Sequence, residues 1–241
     1  MTAANLTNRR TIIAAGGALA TLAAAPVMAR KSAAPAPVMP PEPAALPMTA
    51  QPLPFDAASL GWLSEKLITS HHDNNYVGAV KRLDVIRTQF AGLDIAAAPT
   101  FTVNGLKREE LIAWNSMILH ELYFAGLSGG VAVSAPLAAA IERDFGSMGR
   151  WQAEFTAMGK ALGGGSGWVV LTWSHRERKL NNQWAADHSM SHAGATPILV
   201  LDMYEHAYAM DFGAKAAAYV DGFMKNVSWG NANATFSRQM V

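Results

Sequence analysis

The sequence contains no cysteine among its 241 residues. This absence excludes disulfide scaffolds, cysteine-ligated zinc, iron–sulfur clusters and thiol catalysis. Charged residues make up only 15% of the chain and the formal net charge is +1, so no basic excess argues for nucleic-acid binding. Hydrophobic residues reach 51%, which predicts a folded chain rather than a disordered one. The seven histidines are therefore the first place to look for chemistry.

The N-terminus is typical of an export signal. Residues 1–29 combine the pair Arg9-Arg10, a mild apolar run and a small side chain at Ala29, where a signal peptidase would cut. The run is too short and too rich in glycine to span a membrane. The arginine pair favours the twin-arginine route, and an ordinary secretory signal is the alternative. We therefore expect a periplasmic or secreted protein without a transmembrane helix after this segment is removed.

The rest of the chain divides by composition into three parts. Residues 30–54 are rich in alanine and proline, which predicts an extended linker. Residues 55–130 predict an N-terminal helical hairpin, and residues 131–241 predict a C-terminal α/β domain with a small three-stranded antiparallel sheet. Because helices come first and the sheet follows, the fold class is α+β.

Element boundaries follow from periodicity and from turn residues. The first long helix should cover residues 57–90, and Asn104 could cap a second helix that ends near Leu127. The remaining predictions are helices at residues 136–145, 149–162 and 214–226, and strands at residues 168–173, 180–184 and 198–201.

Four residues stand out as candidate metal ligands. His71 and His120 each lie on the apolar face of a predicted helix, and consecutive helices can bring such side chains together. Asp202 directly follows four apolar strand residues, where a carboxylate is costly to bury unless it is paired or binds a metal. His206 comes four residues later. Three imidazoles and one carboxylate suit iron or manganese, and zinc is possible. The alternative is that these are hydrogen-bonded core residues.

Four segments of the sequence resemble the iron/manganese superoxide dismutase family. They are LSEKLITSHH at 63–72, HELYF at 120–124, GSGW at 165–168 and DMYEHAY at 202–208. The last is similar to the family pattern D-x-W-E-H-A-x, with Tyr204 at the position of the tryptophan. The resemblance implies a helical hairpin followed by an α/β domain. It also implies a superoxide dismutase that forms dioxygen and hydrogen peroxide by redox cycling of one iron or manganese ion.

The resemblance also implies roles for individual residues. The metal ligands would be His71, His120, Asp202 and His206. Tyr123, Trp168 and Tyr204 would be aromatic walls of the site. Glu205 would contact the partner subunit of a homodimer.

One further position concerns the solvent at the metal. Family members use a glutamine or a histidine to hydrogen-bond that solvent. His188 is the candidate in this sequence, with Asp187 and His192 as alternatives. Ser116 stands where other members carry the glutamine.

Three positions depart from the family pattern, and all belong to the substrate channel. Ala79 stands in place of a tyrosine, Asn75 in place of a histidine and Ala209 in place of a second tyrosine. We expect a wider channel, with slower turnover or easier inhibition by peroxide. The alternative function is an exported metal-binding protein of the same fold with weak or no dismutase activity.

The choice of metal also follows from resemblance. Val200 is bulkier than the glycine that many manganese-type members carry two residues before the aspartate, so iron is favoured over manganese.

Overall fold

The computed structural model describes residues 48–240. The predicted export signal at 1–29 and most of the predicted linker at 30–54 lie outside the described residues. None of the helices in the described part is long and apolar enough to cross a membrane.

A long antiparallel hairpin forms the N-terminal half of the described chain. Its first arm runs through α1 (Glu65–Ser70), a π-helical segment (His71–Tyr76) and α2 (Val77–Ala91). The second arm is α3 (Thr100–Ala125), which packs along α2. The prediction that Asn104 caps this helix is wrong, because α3 begins directly after Pro99.

Helices surround a small sheet in the C-terminal half. The helices are α4 (Ala135–Phe145), α5 (Met148–Ala161), α6 (Ala209–Phe212), α7 (Ala216–Asn226) and α8 (Gly230–Gln239). The strands are β1 (Trp168–Ser174), β2 (Lys179–Ala185) and β3 (Ala195–Asp202). We did not predict α8, because its sequence is mostly polar and its buried face depends on few large apolar side chains such as Phe236. The α+β prediction is confirmed.

The sheet has the order β2-β1-β3, and both pairings are antiparallel. All seven residues of the central strand β1 are buried, which explains its almost continuous apolar sequence. Trp168, the first residue of β1, lies opposite Asp202 on β3 and Ala185 on β2. One end of the sheet therefore brings together the start of β1 and the ends of both neighbouring strands.

A short stretch before α1 is attached to the hairpin through the peptide groups of Gln51. Its amide donates to the Tyr76 hydroxyl at 2.8 Å, and its carbonyl oxygen is 2.9 Å from Nε2 of His72. The Tyr76 hydroxyl in turn donates to Glu121 on α3. These contacts connect the last residues of the predicted linker to both arms of the hairpin.

Gly167 directly precedes β1 and lets the chain there pass close to the end of β2. Its φ of +139° is a conformation that other residues rarely adopt. A Cβ atom at this position would lie 2.3 Å from the backbone oxygen of Ala185. Its own carbonyl accepts a hydrogen bond from the amide of Met203 at 2.9 Å, directly after β3.

Substitution of this glycine should therefore destabilise the fold. We expect Gly167→Ala to lower the free energy of unfolding by more than about 2 kcal/mol, because strain and a backbone clash act together. Gly105→Ala is the matched control, since a Cβ atom there meets no atom within 4 Å and the residue lies within α3. The control should raise stability by about 0.5–1 kcal/mol. Denaturant unfolding of both variants checks this, and equal stability of G167A and wild type would contradict it.

Candidate metal centre

The structure brings the side chains of His71, His120, Asp202 and His206 together, and we call this group the His–Asp cluster. One ligand atom from each residue lies within 4.8 Å of the others. Oδ2 of Asp202 is 3.2 Å from Nε2 of His71, 3.3 Å from that of His206 and 3.6 Å from that of His120. The three Nε2 atoms therefore converge on one carboxylate oxygen.

Three separate parts of the fold supply the cluster. His71 is the first residue of the π-helical segment, and His120 lies in the last turns of α3. Asp202 ends β3, and His206 lies in the short 3-10 turn that follows. Because the helical hairpin packs against β3, the N-terminal and C-terminal halves each contribute two members. The adjacent His72 stays outside the cluster, where its ring bonds Gln51 and Asp73.

The hydrogen bonds around His120 leave its Nε2 free to act as a ligand. Its Nδ1 donates to the backbone carbonyl of Ser116 at 2.6 Å, so the proton of the neutral ring is on Nδ1. Nε2 of His120 and both ring nitrogens of His71 are buried and make no hydrogen bond of good geometry within the described residues, although Nε2 of His71 lies 3.2 Å from Oδ2 of Asp202. Buried nitrogens without partners are costly unless something outside the protein chain satisfies them.

Burial also determines the charge of the cluster. It lowers the pKa of His71 below its ordinary value and that of His120 to about 3, so both rings are neutral at physiological pH. Burial acts to raise the pKa of the Asp202 carboxyl. Its contacts with His206 and His71 outweigh burial and hold that pKa well below the usual range. The cluster therefore combines a buried anion with two neutral imidazoles, those of His71 and His120.

This arrangement fits a metal cation. A buried carboxylate needs a positive charge, and the unpartnered imidazole nitrogens need an electrophile. Three nitrogens and one oxygen form a donor set that suits iron, manganese or zinc.

Asp202 is held both at its side chain and at its main chain. The Tyr204 amide donates to Oδ1 of Asp202 at 2.8 Å, which leaves Oδ2 to face the histidines. The Tyr219 hydroxyl donates to the Asp202 backbone carbonyl at 2.9 Å. The hydroxyls of Tyr219 and Tyr123 are 3.0 Å apart. Since Tyr219 has one proton and the carbonyl can only accept, Tyr123 donates to Tyr219.

The predicted aromatic walls lie beside the cluster. The Tyr123 ring centre is 5.2 Å from that of His71, and the Trp168 ring centre is 5.2 Å from that of His120. Both side chains are fully buried. Tyr204 lies parallel to His206, with ring centres 5.2 Å apart and an angle of 15°.

His188 reaches the same region from the loop after β2. The Trp168 indole donates to its Nδ1 at 3.0 Å, and Tyr204 stacks on its ring at 4.7 Å. The ring centres of His188 and His120 are 6.1 Å apart. Burial lowers the pKa of the His188 imidazole below its ordinary value.

The alternatives to His188 lie elsewhere. Asp187 is exposed and accepts a hydrogen bond from the Ser189 amide, and His192 is exposed with its amide bonded to Gln183. Ser116 does face the site, and its hydroxyl is 3.4 Å from Nδ1 of His120. Its short side chain leaves room beside the cluster.

A cavity of about 270 Å³ opens above the cluster, and we call it the outer cavity. Its lining includes His120, His188, His206, Asn75, Gly78, Ala79, Ser116 and Arg82. A water molecule occupies about 30 Å³ in the liquid, so the volume of this cavity is several times that of one small molecule.

The width of the outer cavity follows from its small side chains. Ala79 and Asn75, two of the three departures from the family pattern, both line it. A Cβ atom at Gly78 meets no atom within 4 Å. Tyr76 does not replace the absent tyrosine, because its hydroxyl points to Gln51 and Glu121. Arg82 brings a positive charge to the cavity, although Glu109 pairs with it.

The third departure and the predicted interface residue lie at the surface. Ala209 and Glu205 are both exposed. His206 is the most accessible cluster member, with 26% of its side chain exposed, whereas the other three are at most 1% exposed. Glu205 therefore precedes the most accessible member of the His–Asp cluster.

Sequence reasoning missed several residues that shape the site. Tyr219 resembles any other apolar position of a helix, and Asn115, which donates to the His188 carbonyl at 2.7 Å, resembles any polar helix residue. Gly78 and Arg82 lie three and seven residues after Asn75 on the same helical arm, so helical spacing could have indicated them. No spacing in the sequence signals the contacts of Tyr219 and Asn115, since each partner is distant along the chain.

Comparison with known proteins agrees with this geometry. The family model for the C-terminal domain of iron/manganese superoxide dismutases matches residues 133–235. The chain is 64% identical over 187 residues to a superoxide dismutase [Fe] of Cupriavidus metallidurans, which covers 78% of this chain and 95% of the relative. It is 32% identical over 191 residues to superoxide dismutase [Mn] 1 of Halobacterium salinarum, and the match covers 78% of this chain and 94% of the relative. The chain belongs to the iron/manganese superoxide dismutase family.

Proposed function

We propose that this protein converts superoxide to dioxygen and hydrogen peroxide with one iron or manganese ion held by His71, His120, Asp202 and His206. The observation that supports this most directly is the convergence of three imidazole nitrogens on one buried carboxylate oxygen. Such an ion supplies one-electron redox chemistry, by which one superoxide loses an electron and a second gains it. Iron is the preferred metal in this proposal, in line with the 64% identical relative that is named as an iron enzyme.

The protein residues bind the ion, exclude bulk water and orient the imidazoles. The Ser116 carbonyl fixes the His120 ring, and the Tyr204 amide fixes the Asp202 carboxylate. Tyr123 and Trp168 keep the buried side dry, since both are fully buried. The outer cavity admits the substrate from the opposite side.

A second candidate function follows from the width of that cavity. With Ala79 and Asn75 in its lining, the channel lacks the tyrosine and histidine of the family pattern. The alternative is a metal-binding protein of the same fold with weak or no dismutase activity.

Metal loading and activity distinguish the two functions. We expect the mature protein to bind one ion per subunit and to dismutate superoxide when loaded with iron, and less actively with manganese. Full occupancy with negligible dismutation in both forms would favour the alternative. Inactivation by hydrogen peroxide, followed on the iron-loaded sample, measures the effect of the wide channel.

Adjacent histidines provide a matched pair of variants for this experiment. His71→Gln should lose both metal and activity, by more than roughly 100-fold, since residues that only support a ligand already contribute 10–100-fold. His72→Gln should retain both, because that ring bonds Gln51 and Asp73 outside the His–Asp cluster.

We further propose that the protein is a homodimer in which Glu205 of each subunit contacts the partner near His206. The exposure of Glu205, and of part of the His206 ring, supports this arrangement. Glu205→Arg should convert the dimer to a monomer in sedimentation velocity, because it places a positive charge at the proposed interface. Glu177→Arg is the matched control at the exposed β1–β2 turn. A monomeric wild type would contradict the proposal.

Export by the twin-arginine route is the third part of the proposal. It rests on the sequence of residues 1–29, with Arg9-Arg10 before the apolar run. In a bacterial host we expect the periplasmic protein to begin at Arg30 by mass spectrometry. Replacing both arginines with lysine should retain it in the cytoplasm, whereas Arg30→Lys should not. Export of the lysine variant would indicate the general secretory route, and retention of the wild type would contradict export.

A further inference from the structure

We propose that Met190 is a site of reversible oxidation by hydrogen peroxide, and that its oxidation destabilises the β2–β3 loop (residues 186–194), which carries His188 to the outer cavity. The expected product is one epimer of methionine sulfoxide. Met190 is not a member of the His–Asp cluster and does not line the outer cavity, so its effect passes through the loop. The inference goes beyond the proposed function and rests on it only for the source of the peroxide.

Met190 is accessible to a small oxidant. It is 40% exposed, and it lines a second cavity, of about 230 Å³ between α3 and the sheet, which we call the lateral cavity. Hydrogen peroxide is little larger than water, whose share of the liquid is about 30 Å³, so the lateral cavity has room for it. Met117 and Met203 are at most 4% exposed. An oxidant must reach the sulfur, so these two side chains should resist it.

The sulfur of Met190 already makes one contact. The Ala186 amide donates a hydrogen bond to Sδ of Met190 at 3.3 Å, which joins two residues of the loop on either side of His188. A thioether sulfur has two lone pairs and is a weak acceptor. One lone pair therefore faces the amide, and the other remains free to react.

Oxidation transfers one oxygen atom to the free lone pair. The sulfur attacks peroxide, the O–O bond breaks as the S–O bond forms, and the second oxygen leaves as water with both protons. The sulfur loses two electrons and the peroxide gains them. Because the Ala186 amide covers the other lone pair, oxygen is added to one side of the sulfur only. The chiral sulfoxide is therefore expected as a single epimer.

The sulfoxide is a poor substitute for the thioether at this position. Its sulfur carries a partial positive charge, so the Ala186 amide loses the acceptor that it has in the reduced protein. The new S–O group is polar, whereas the lateral cavity is lined in part by the apolar side chains of Trp114, Ile118 and Pro197. Both changes favour departure of the oxidised side chain from its place.

The loop transmits this change to the outer cavity. Ala186 lies two residues before His188, and Met190 lies two residues after it. The Ser166 hydroxyl donates to the Ala186 carbonyl at 3.0 Å, and Asn115 donates to the His188 carbonyl at 2.7 Å. Without the sulfur contact, His188 is held by fewer bonds. Peroxide, the product of the proposed reaction, would thereby regulate the order of a loop that lines the site.

Peptide mapping by mass spectrometry tests the modification. The full mature chain is loaded with zinc, which has no redox chemistry, and is treated with hydrogen peroxide. Met240, which is 49% exposed directly after α8, is the comparison. We expect Met190 to be oxidised at a rate similar to that of Met240, while Met203 stays reduced. Oxidation of Met240 with Met190 left intact overturns the proposal.

The epimer of the product tests the role of the Ala186 amide. Peptides from the oxidised protein are incubated with each of the two classes of methionine sulfoxide reductase, which repair one epimer each. One epimer should exceed the other at Met190 roughly threefold or more, the lower end of the range for one hydrogen bond. Met240 should give both epimers about equally. An equal mixture at Met190 overturns the assigned geometry of oxidation.

Hydrogen exchange, followed by NMR on the zinc-loaded protein, tests the effect on the loop. Met190→Leu keeps the size and apolar character of the side chain but removes the sulfur, and Met240→Leu is the matched control. The Ala186 amide should exchange roughly threefold or more faster in the oxidised wild type and in M190L, because both lack the bond to sulfur. M240L should behave like the wild type before and after oxidation, and peroxide should leave exchange of this amide in M190L unchanged.

Two further outcomes decide the proposal. Treatment of the oxidised, folded protein with the reductase of the matching class should restore slow exchange at Ala186, and failure to do so overturns reversibility. Unchanged exchange after complete oxidation of Met190 overturns the effect on the loop. Failure of the proposed function is distinguishable, because an iron-loaded wild type that does not dismutate superoxide leaves the zinc-loaded results intact.

Discussion

Burial of the Asp202 carboxylate is the constraint on which the site depends. The strand β3 carries this charge into the interior, where its Oδ2 meets three imidazole nitrogens rather than water. A buried anion of this kind needs a positive charge beside it, so the last residue of β3 creates the requirement for a cation. The pairing of Trp168 with Asp202 then fixes which aromatic residue stands next to the cluster.

Contacts behind the carboxylate limit its movement. Tyr219 bonds its backbone carbonyl, Tyr204 bonds its second oxygen through an amide, and Tyr123 bonds Tyr219. These partners come from α7, from the turn after β3 and from α3. Because they join elements distant in sequence, the position of the carboxylate depends on correct packing of both halves of the chain.

Prediction from sequence succeeded where the signal is local. Apolar periodicity around His71 and His120 marked them as inward-facing, and Asp202 was conspicuous after four apolar strand residues. It failed for the start of α3, which begins at Thr100 and so precedes the apparent cap Asn104, and for α8, whose buried face is small. The contacts of Tyr219, Asn115 and Gln51 join residues far apart along the chain, so no pattern within one segment encodes them.

Gly78 lines the outer cavity and has a consequence for how that cavity can change over evolutionary time. It lies in helix α2, where glycine is less favourable than alanine by about 0.5–1 kcal/mol. No atom lies within 4 Å of the Cβ that alanine would add, so no steric requirement keeps glycine there. Helix α2 is therefore less stable with glycine at this position of the outer cavity than it would be with alanine. A single codon change from glycine to alanine could narrow the outer cavity and stabilise the helix together, without altering any residue of the His–Asp cluster.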